Sequence, residues 1–166
     1  MSYARRLNGA TFGTIKTGLV KGTTSTYTTT VTSAGMIGGK YVTGLAAQTN
    51  TATPTTDAVT GAAFVPLTAN QATVLVIGQK ADSTIQMAQG SIVPTVTGVT
   101  TTAGAFISSP QFPLLPDDFM VFGYALVRTS PTGNAFTAGT TAWAASGITT
   151  TEFVQCGVLP DRPQVS

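Results

Sequence analysis

The sequence predicts a single all-β domain, either an antiparallel β-sandwich or a jelly-roll-like fold, with an extended N-terminal arm and C-terminal tail. About one residue in five is threonine, only 8% are charged, and 18 glycines and 9 prolines interrupt the chain. Threonine is β-branched and fits a pleated strand, and its hydroxyl keeps a surface wet without charge. Frequent glycine and proline supply the turns of a fold built from many short strands.

The length and the charge distribution indicate how the chain is divided. A chain of 166 residues forms one domain with a substantial core, so two domains are not expected. The first 56 residues carry five positive charges and no acid, whereas the remainder carries three positive and six negative charges. We assign residues 1–24 to an extended basic arm and residues 25–166 to the β domain with its tail.

Two segments predict the centre of the fold. Residues 73–77 are continuously apolar and β-branched, which is typical of a strand buried on both faces. Residues 119–128 alternate, with Phe122, Tyr124 and Leu126 on one face and Val121, Ala125 and Val127 on the other. Shorter strands are predicted at residues 23–32, 40–45, 62–67, 84–88, 91–102, 135–137 and 148–154. Residues 35–39 are predicted as a turn and residues 48–56 as a surface loop.

The residues that enzymes use are scarce. The chain has no histidine and one cysteine, Cys156, which removes the usual nucleophile–base pairs and the usual zinc, copper and iron ligands. Asp117 and Asp118 are adjacent, and adjacent strand residues point to opposite faces, so a solvated turn is favoured over an acid/base pair. Residues 35–40 resemble a phosphate-binding loop but lack its first glycine and its final hydroxyl residue. We therefore expect no enzymatic activity, no cofactor and no metal.

The basic residues of the arm suggest docking on an acidic partner. Its candidate docking residues are Arg5, Arg6, Lys16 and Lys21. The alternative is a solvated N-terminus that binds nothing. Aromatic residues are not interleaved with the basic ones, so no specific nucleic-acid binding is expected. No signal peptide and no transmembrane segment are expected, because no apolar run is long and uninterrupted enough.

The C-terminal third resembles a known class of protein. The order of residues 122–127, 136–141, 144–149 and 159–163 is similar to that in small virion structural proteins of tailed bacteriophages, of the capsid-decoration or head-fibre type. The resemblance covers about residues 115–163, and the rest matches only in composition. It implies a β-rich, non-enzymatic protein that is oligomeric on the virion, binds the major capsid protein, and is assembled in the host cytoplasm.

Three functions follow as hypotheses. The first is a capsid decoration or cement protein that stabilises the shell, the second is a tail, fibre or adhesin module that binds a host surface glycan, and the third is an enzyme such as a depolymerase. A homo-oligomer is expected because uncovered β edges with little charge adhere to one another, and a trimer because capsid lattices offer three-fold positions. Candidate inter-subunit contacts lie in extended, proline-rich segments that cannot complete a ladder, namely Pro110, Phe112, Pro113, Leu159 and Pro160. Trp143 is expected either in the chain's own core or as an interface anchor.

Overall fold

The computed structural model describes residues 10–151 and 153–164, and in these ranges every regular element is a β-strand. This confirms the predicted all-β class. The strands are β1 (Phe12–Gly13), β2 (Val20–Lys21), β3 (Thr26–Thr29), β4 (Ala34–Ile37), β5 (Lys40–Thr43), β6 (Gln48–Ala52), β7 (Gln71–Gln79), β8 (Ile85–Gln89), β9 (Val93–Pro94), β10 (Met120–Thr129), β11 (Ile148–Thr150) and β12 (Val154–Gln155).

The strands form three antiparallel sheets. The largest has the order β11-β10-β7-β8, with β12 also on β10 and β9 also on β7, and the two smaller sheets are β1-β4-β5 and β2-β3-β6. The two longest strands, β7 and β10, pair with each other at the centre of the large sheet. The arrangement is consistent with a β-sandwich, and the jelly-roll alternative stays a prediction.

Both faces of β7 and β10 are buried, as predicted for residues 73–77. Every residue from Ala72 to Gln79 is buried, because apolar side chains alternate between two separate clusters. The first cluster takes Leu75 and Ile77 from β7, and the second takes Val74 and Val76. A strand covered on both sides has no polar face, which explains the unbroken apolar run in its sequence.

The predicted faces of β10 are wrong at two residues, because Val121 lies with Tyr124 in the second cluster and Phe122 lies in the first. The pairing register shifts between Val121 and Gly123, so β10 holds one extra residue opposite β7. This bulge places Phe122 in the first cluster with Ala125, whereas Tyr124 and Leu126 lie in the second. Simple alternation put Phe122 with Tyr124, and a bulge reverses the faces of residues on either side of it.

The predicted arm is corrected for residues 10–24. Strand β1 pairs with β4, β2 pairs with β3, and Leu19 between them is fully buried in the first cluster. The backbone N–H of Gly18 also donates to Gln155 Oε1 at 3.0 Å. Small and polar residues gave this segment the composition of an arm, but Leu19 is a core residue and both short strands are paired. Residues 1–9, with Arg5 and Arg6, lie outside the described residues.

Other boundaries also differ from expectation. The predicted loop at 48–56 contains the edge strand β6, which is held by β3 and carries polar side chains because it is largely exposed. The predicted turn at 35–39 contracts to residues 38–39, between β4 and β5. The predicted strands at 62–67 and 135–137 contribute only isolated bridges, including Leu67 with Phe136.

The last predicted strand, 148–154, is divided into β11 and β12, which both pair with β10. Between them, Thr151 Oγ1 accepts the backbone N–H of Leu126 at 2.9 Å, and the N–H of Thr151 donates to the carbonyl of Leu126 at 2.9 Å. The Thr151 hydroxyl thus replaces a backbone carbonyl as acceptor where the ladder is interrupted. The N–H of Leu126 on β10 therefore keeps a hydrogen bond.

Candidate interaction surfaces

The second core cluster is covered by irregular chain rather than by a sheet. Its buried residues are Val74, Val76, Ala88, Phe119, Val121, Tyr124 and Leu126. Two segments supply much of the cover: residues 109–116, here called the proline segment, and residues 156–164, here called the strap. Neither contains a regular strand. Prolines lack the donor that a ladder needs, so these segments cover the face through side chains and a few hydrogen bonds.

Side-chain packing holds the proline segment to the core. The ring of Phe112 stacks edge-on against Tyr124 with 5.0 Å between ring centroids. The backbone N–H of Gln111 donates to Ser91 Oγ at 2.7 Å, and the N–H of Ser91 donates to the carbonyl of Gln111 at 3.0 Å. These two reciprocal hydrogen bonds hold the proline segment beside the residues that precede β9, although the segment itself forms no strand.

The strap is anchored at both ends. Near its start, the carbonyl of Gly157 accepts the N–H of Gly13 at 3.0 Å. Near its end, Ser109 Oγ donates to the carbonyl of Pro163 at 3.3 Å, and the N–H of Gln164 donates to Tyr124 Oη at 3.1 Å. The strap therefore joins β1, the proline segment and β10 across one face.

This arrangement places the predicted inter-subunit contacts mostly inside one chain. Pro110 is buried, Phe112, Pro113 and Leu159 are half-buried, and only Pro160 is exposed. Phe112 and Leu159 pack against the second cluster of their own chain. Two of the five residues thus pack on the domain's own core, and a contact of these segments with a second copy stays a prediction.

The predicted docking cations have different surroundings. Lys16 is exposed, and its ammonium has no hydrogen bond or ion pair with the described residues. Lys21 is half-buried, and its Nζ donates to the carbonyl of Thr150 at 3.3 Å. Lys21 thus ties β2 to β11, whereas Lys16 is available to a partner.

Two grooves lie along the strap. The first, here called the tail groove, runs between the proline segment and the strap as two adjoining cavities of about 480 and 440 Å³. Phe112 and Ser109 line one wall, and Asp161, Arg162 and Gln164 line the other. Neither Asp161 nor Arg162 has a side-chain partner within the described part of the chain.

The second groove, here called the rim groove, has a volume of about 280 Å³. Its apolar lining comes from both covering segments and from β10, and among the described residues Asp117 is the charged one that lines it. Thr11 closes one side, where its Oγ1 donates to the carbonyl of Asp117 at 2.7 Å. Asp117 is exposed, and Asp118 beside it is half-buried, in agreement with a turn after Pro116.

The residues that the sequence offered as candidates for catalysis, phosphate binding or an interface form part of the fold itself. Trp143 is buried, and its Nε1 donates to the carbonyl of Thr26 at 2.8 Å, which makes it a core residue rather than an interface anchor. Burial raises the pKa of the Cys156 thiol to about 11, which keeps it protonated at neutral pH. Residues 35–40, whose sequence resembles a phosphate-binding loop, lie in the hairpin that β4 and β5 form. Across the described ranges, no group of three or more His, Cys, Asp or Glu could hold a metal ion.

Several buried polar contacts were not predicted. Ser33 Oγ donates to Gln79 Oε1 in the interior and accepts the N–H of Leu45 at 3.1 Å. Arg128 donates from Nη1 to the carbonyl of Gly104 at 2.9 Å, and its guanidinium lies 5.0 Å from the ring centroid of Phe106. A cation over an aromatic face is stabilised by the ring quadrupole. Neither arrangement leaves a local sequence signal, because the partners are far apart in the chain.

Comparisons with known proteins identify no relative. No family model, no curated protein and no solved structure matches this chain. Among residues 10–151 and 153–164, no helix has both the length and the apolar character needed to cross a membrane.

Proposed function

We propose that this chain is a non-enzymatic structural protein of a tailed-phage virion that binds the outside of the capsid as a decoration or cement protein. The observation that carries the proposal is an all-β body that exposes large apolar side chains on a surface with few charges. Leu114 is 78% exposed, Val99 75% and Val158 67%. Apolar surface of this kind on a rigid scaffold is typical of a protein that is covered by a partner.

The mechanism in this proposal is mechanical. The two central strands and their two buried clusters make a rigid body, and the surface docks across the joints between copies of the major capsid protein. Each contact is modest, but many copies on a lattice gain strength from high local concentration. The basic residues Arg5, Arg6 and Lys16 would supply attraction to an acidic capsid surface.

The location is tested by microscopy of purified particles labelled with an antibody against this chain. Label over the head is expected, and label confined to the tail would overturn the capsid assignment. Docking is tested by adding purified chain back to particles that lack it. The triple variant Arg5→Glu, Arg6→Glu, Lys16→Glu is expected to bind at least about tenfold more weakly. Lys40→Glu, an exposed cation at the β4–β5 turn, is the matched control and should bind normally.

A second candidate function is a tail, fibre or adhesin module that binds a host surface glycan, and the tail groove favours it. The groove is lined by an aromatic side chain, Phe112, and by Asp161 and Arg162, whose side chains have no partner among the described residues, and its volume suits one or two sugar rings. Calorimetric titration with surface glycans of the host tests this function. Binding that is lost in Asp161→Asn and Arg162→Gln would establish it, and no heat with any glycan would remove it.

A further inference from the structure

One edge of the small sheet β1-β4-β5 is open. Strand β5 pairs with β4, and bonded and non-bonded residue pairs alternate along an antiparallel ladder. The N–H of Gly44, just after β5, donates to the carbonyl of Ser33, so the even-numbered residues of β5 are the ones that bond to β4. The backbone N–H and C=O groups of Tyr41 and Thr43 therefore point away from β4. These outward groups are here called the β5 edge.

The other side of β4 supports this assignment. Thr43 is paired with Ala34, and the carbonyl of Ala34 accepts the N–H of Thr14 at 2.9 Å, so that carbonyl points away from Thr43. In the described part of the chain, the backbone groups of Tyr41 and Thr43 have no hydrogen-bond partner. Both residues are exposed, Tyr41 by 65%, so no described segment covers the β5 edge.

The β5 edge ends where the neighbouring backbone groups are already bonded. On one side, the N–H of Gly39 donates to the carbonyl of Ala10 at 3.1 Å. On the other side, the N–H of Leu45 donates to Ser33 Oγ at 3.1 Å, and the carbonyl of Leu45 accepts the N–H of Ser33 at 2.9 Å. The groups open to a further strand are thus those of Tyr41 and Thr43.

Other outer strands carry the protection that proteins give to such edges, and β5 does not. Strand β6 is interrupted by a register shift, and its Asn50 has a φ of 47°. Strand β8 is covered where the N–H of Ala58 donates to the carbonyl of Met87 at 2.9 Å. Strand β1 is covered by the strap at Gly157. The β5 edge has neither a bulge nor a cover, and Lys40, the charged residue of β5, lies at the end of the strand.

A second copy of β5 fits this edge in one register. When a two-fold axis passes through Val42, Tyr41 of each copy lies opposite Thr43 of the other, and each such pair exchanges both of its N–H···O=C bonds. All open groups are then used and no bonded group is disturbed. Moving the axis by one residue would bring Gly39 or Leu45 into the ladder, where their groups are already taken. Each Tyr41 side chain also packs beside a β-branched Thr43, a favourable cross-strand pair.

The residues that flank the edge leave room for a second copy. In this register Gly38, at the tip of the hairpin, passes Ala46 of the other copy. A Cβ on Gly38 would meet nothing within 4 Å, and Ala46 is exposed and small. Lys40 lies opposite Gly44 of the other copy, so no like charge faces it. The edge is therefore complementary to itself in hydrogen-bonding groups, size and charge.

We propose that the β5 edge pairs with the β5 edge of a second copy about a two-fold axis at Val42, which joins the two β1-β4-β5 sheets into one continuous sheet. The inference goes beyond the proposed function, because it concerns the pure chain and uses none of the surfaces assigned to the capsid. The contact is small, so the dimer is weak and forms as the concentration rises. Its symmetry is two-fold, whereas the three-fold expectation came from capsid lattices.

The mass of the purified chain gives the first test. Light scattering should approach twice the 16.9 kDa of one chain as the concentration nears about 1 mM. Tyr41→Lys with Thr43→Lys puts like charges opposite each other in both pairs, whereas Tyr41→Lys with Thr43→Glu puts opposite charges there. Both should keep native circular dichroism, and the second should dimerise at least about tenfold more tightly than the first. A wild-type mass that stays at one chain, a trimer, or equal dimerisation of the two variants would each overturn the proposal.

Amide hydrogen exchange gives the second test, because it locates the contact. The N–H groups of Tyr41 and Thr43 should exchange more slowly in concentrated than in dilute protein. Thr43→Pro removes an outward N–H and no bond within the chain, so this variant should stay folded and keep the single-chain mass. Exchange at Tyr41 and Thr43 that does not change with concentration, or a folded Thr43→Pro protein that dimerises like the wild type, would exclude the β5 edge. Neither measurement involves particles, so both results are independent of the capsid assignment.

Discussion

The Tyr27 side chain carries a titratable hydroxyl in a position that water barely reaches. Its exposed fraction is 1%, and it packs in the first cluster, where burial raises its pKa to about 12. The ionised phenolate is therefore disfavoured in the folded chain relative to the unfolded chain. The consequence is a stability that depends on alkaline pH.

The pH dependence has a definite sign. Below the unfolded pKa of about 10, Tyr27 is neutral in both states and stability does not change with its titration. Between about pH 10 and 12 the unfolded chain loses the proton first, so the free energy of unfolding falls, by about 3 kcal/mol in total. Urea unfolding of the wild type and of Tyr27→Phe should diverge only in this window. Parallel curves from pH 8 to 12 would contradict the assignment.

Cys156 gives a second prediction at this scale. A thiol pKa of about 11 rather than about 9 lowers the thiolate fraction at pH 8 about 100-fold. A disulfide reagent should modify the native chain at least that much more slowly than the chain in urea. Equal rates in the two conditions would mean that the thiol is not held against the second cluster in the native chain. The rate also serves as a direct measure of strap opening.

Gly147 and Gly38 separate two roles of glycine. Both have positive φ, +80° and +57°, but a Cβ on Gly147 would lie 2.3 Å from Gly133 Cα, whereas a Cβ on Gly38 would meet nothing within 4 Å. Gly38→Ala should cost about 1 kcal/mol from backbone strain alone. Gly147→Ala should cost about 3 kcal/mol or more, since backbone must also move. Chemical denaturation measures both, and equal losses would exclude the contact with Gly133.

Strands with a strong hydrophobic pattern could be predicted from the sequence, and strands without one could not. Strands β7 and β10 were predicted because two buried faces require a long apolar run, which few other structures produce. Strand β6 was missed because an exposed edge strand of glutamine, threonine and asparagine has no apolar face to reveal it. The bulge at Phe122 was missed because its position depends on pairing with β7, and the one local signal is the neighbouring Gly123, since glycine inside a strand often marks a bulge.

The two central strands give a prediction of their own. Val76 and Leu126 are 0% and 1% exposed in the second cluster, so Val76→Asp or Leu126→Asp would bury a charge without a partner. That costs several kcal/mol against a total stability of about 5–15 kcal/mol, and each variant should unfold. Val99→Asp at an exposed site should stay folded. A soluble Leu126→Asp protein with native circular dichroism would refute the assignment of β10 to the core.

For the whole molecule, the candidate surfaces were less predictable than the fold. The prolines of the proline segment and the strap predicted extended chain that cannot join a sheet. The sequence alone could not tell whether these segments cover their own core or a neighbouring copy. The tail groove and the rim groove arise where these distant segments meet, so neither has a local sequence pattern. Lys16 and Lys21 were equivalent in sequence and became distinct only through contacts across the fold.

Truncation tests the corrected boundary of the body. Deleting residues 2–8 gives the comparison protein, because it keeps every described residue. Deleting residues 2–22 also removes β1, β2 and the fully buried Leu19, and should unfold the chain. Circular dichroism and thermal melting compare the two. A folded 2–22 deletion would restore the original prediction that the whole segment is an arm.

Hydrogen bonds between residues near the two ends of the chain affect when the protein can fold during its synthesis. Gly18 is bonded to Gln155, 137 positions away, and Trp143 reaches back 117 positions to Thr26. A chain emerging from the ribosome cannot make these contacts until almost all of it has been translated. Folds dominated by such distant contacts form in milliseconds to seconds rather than microseconds. The apolar run of β7 remains uncovered until β10 pairs with it, so chaperone occupancy should peak on nascent chains that extend past residue 79 and end before β10.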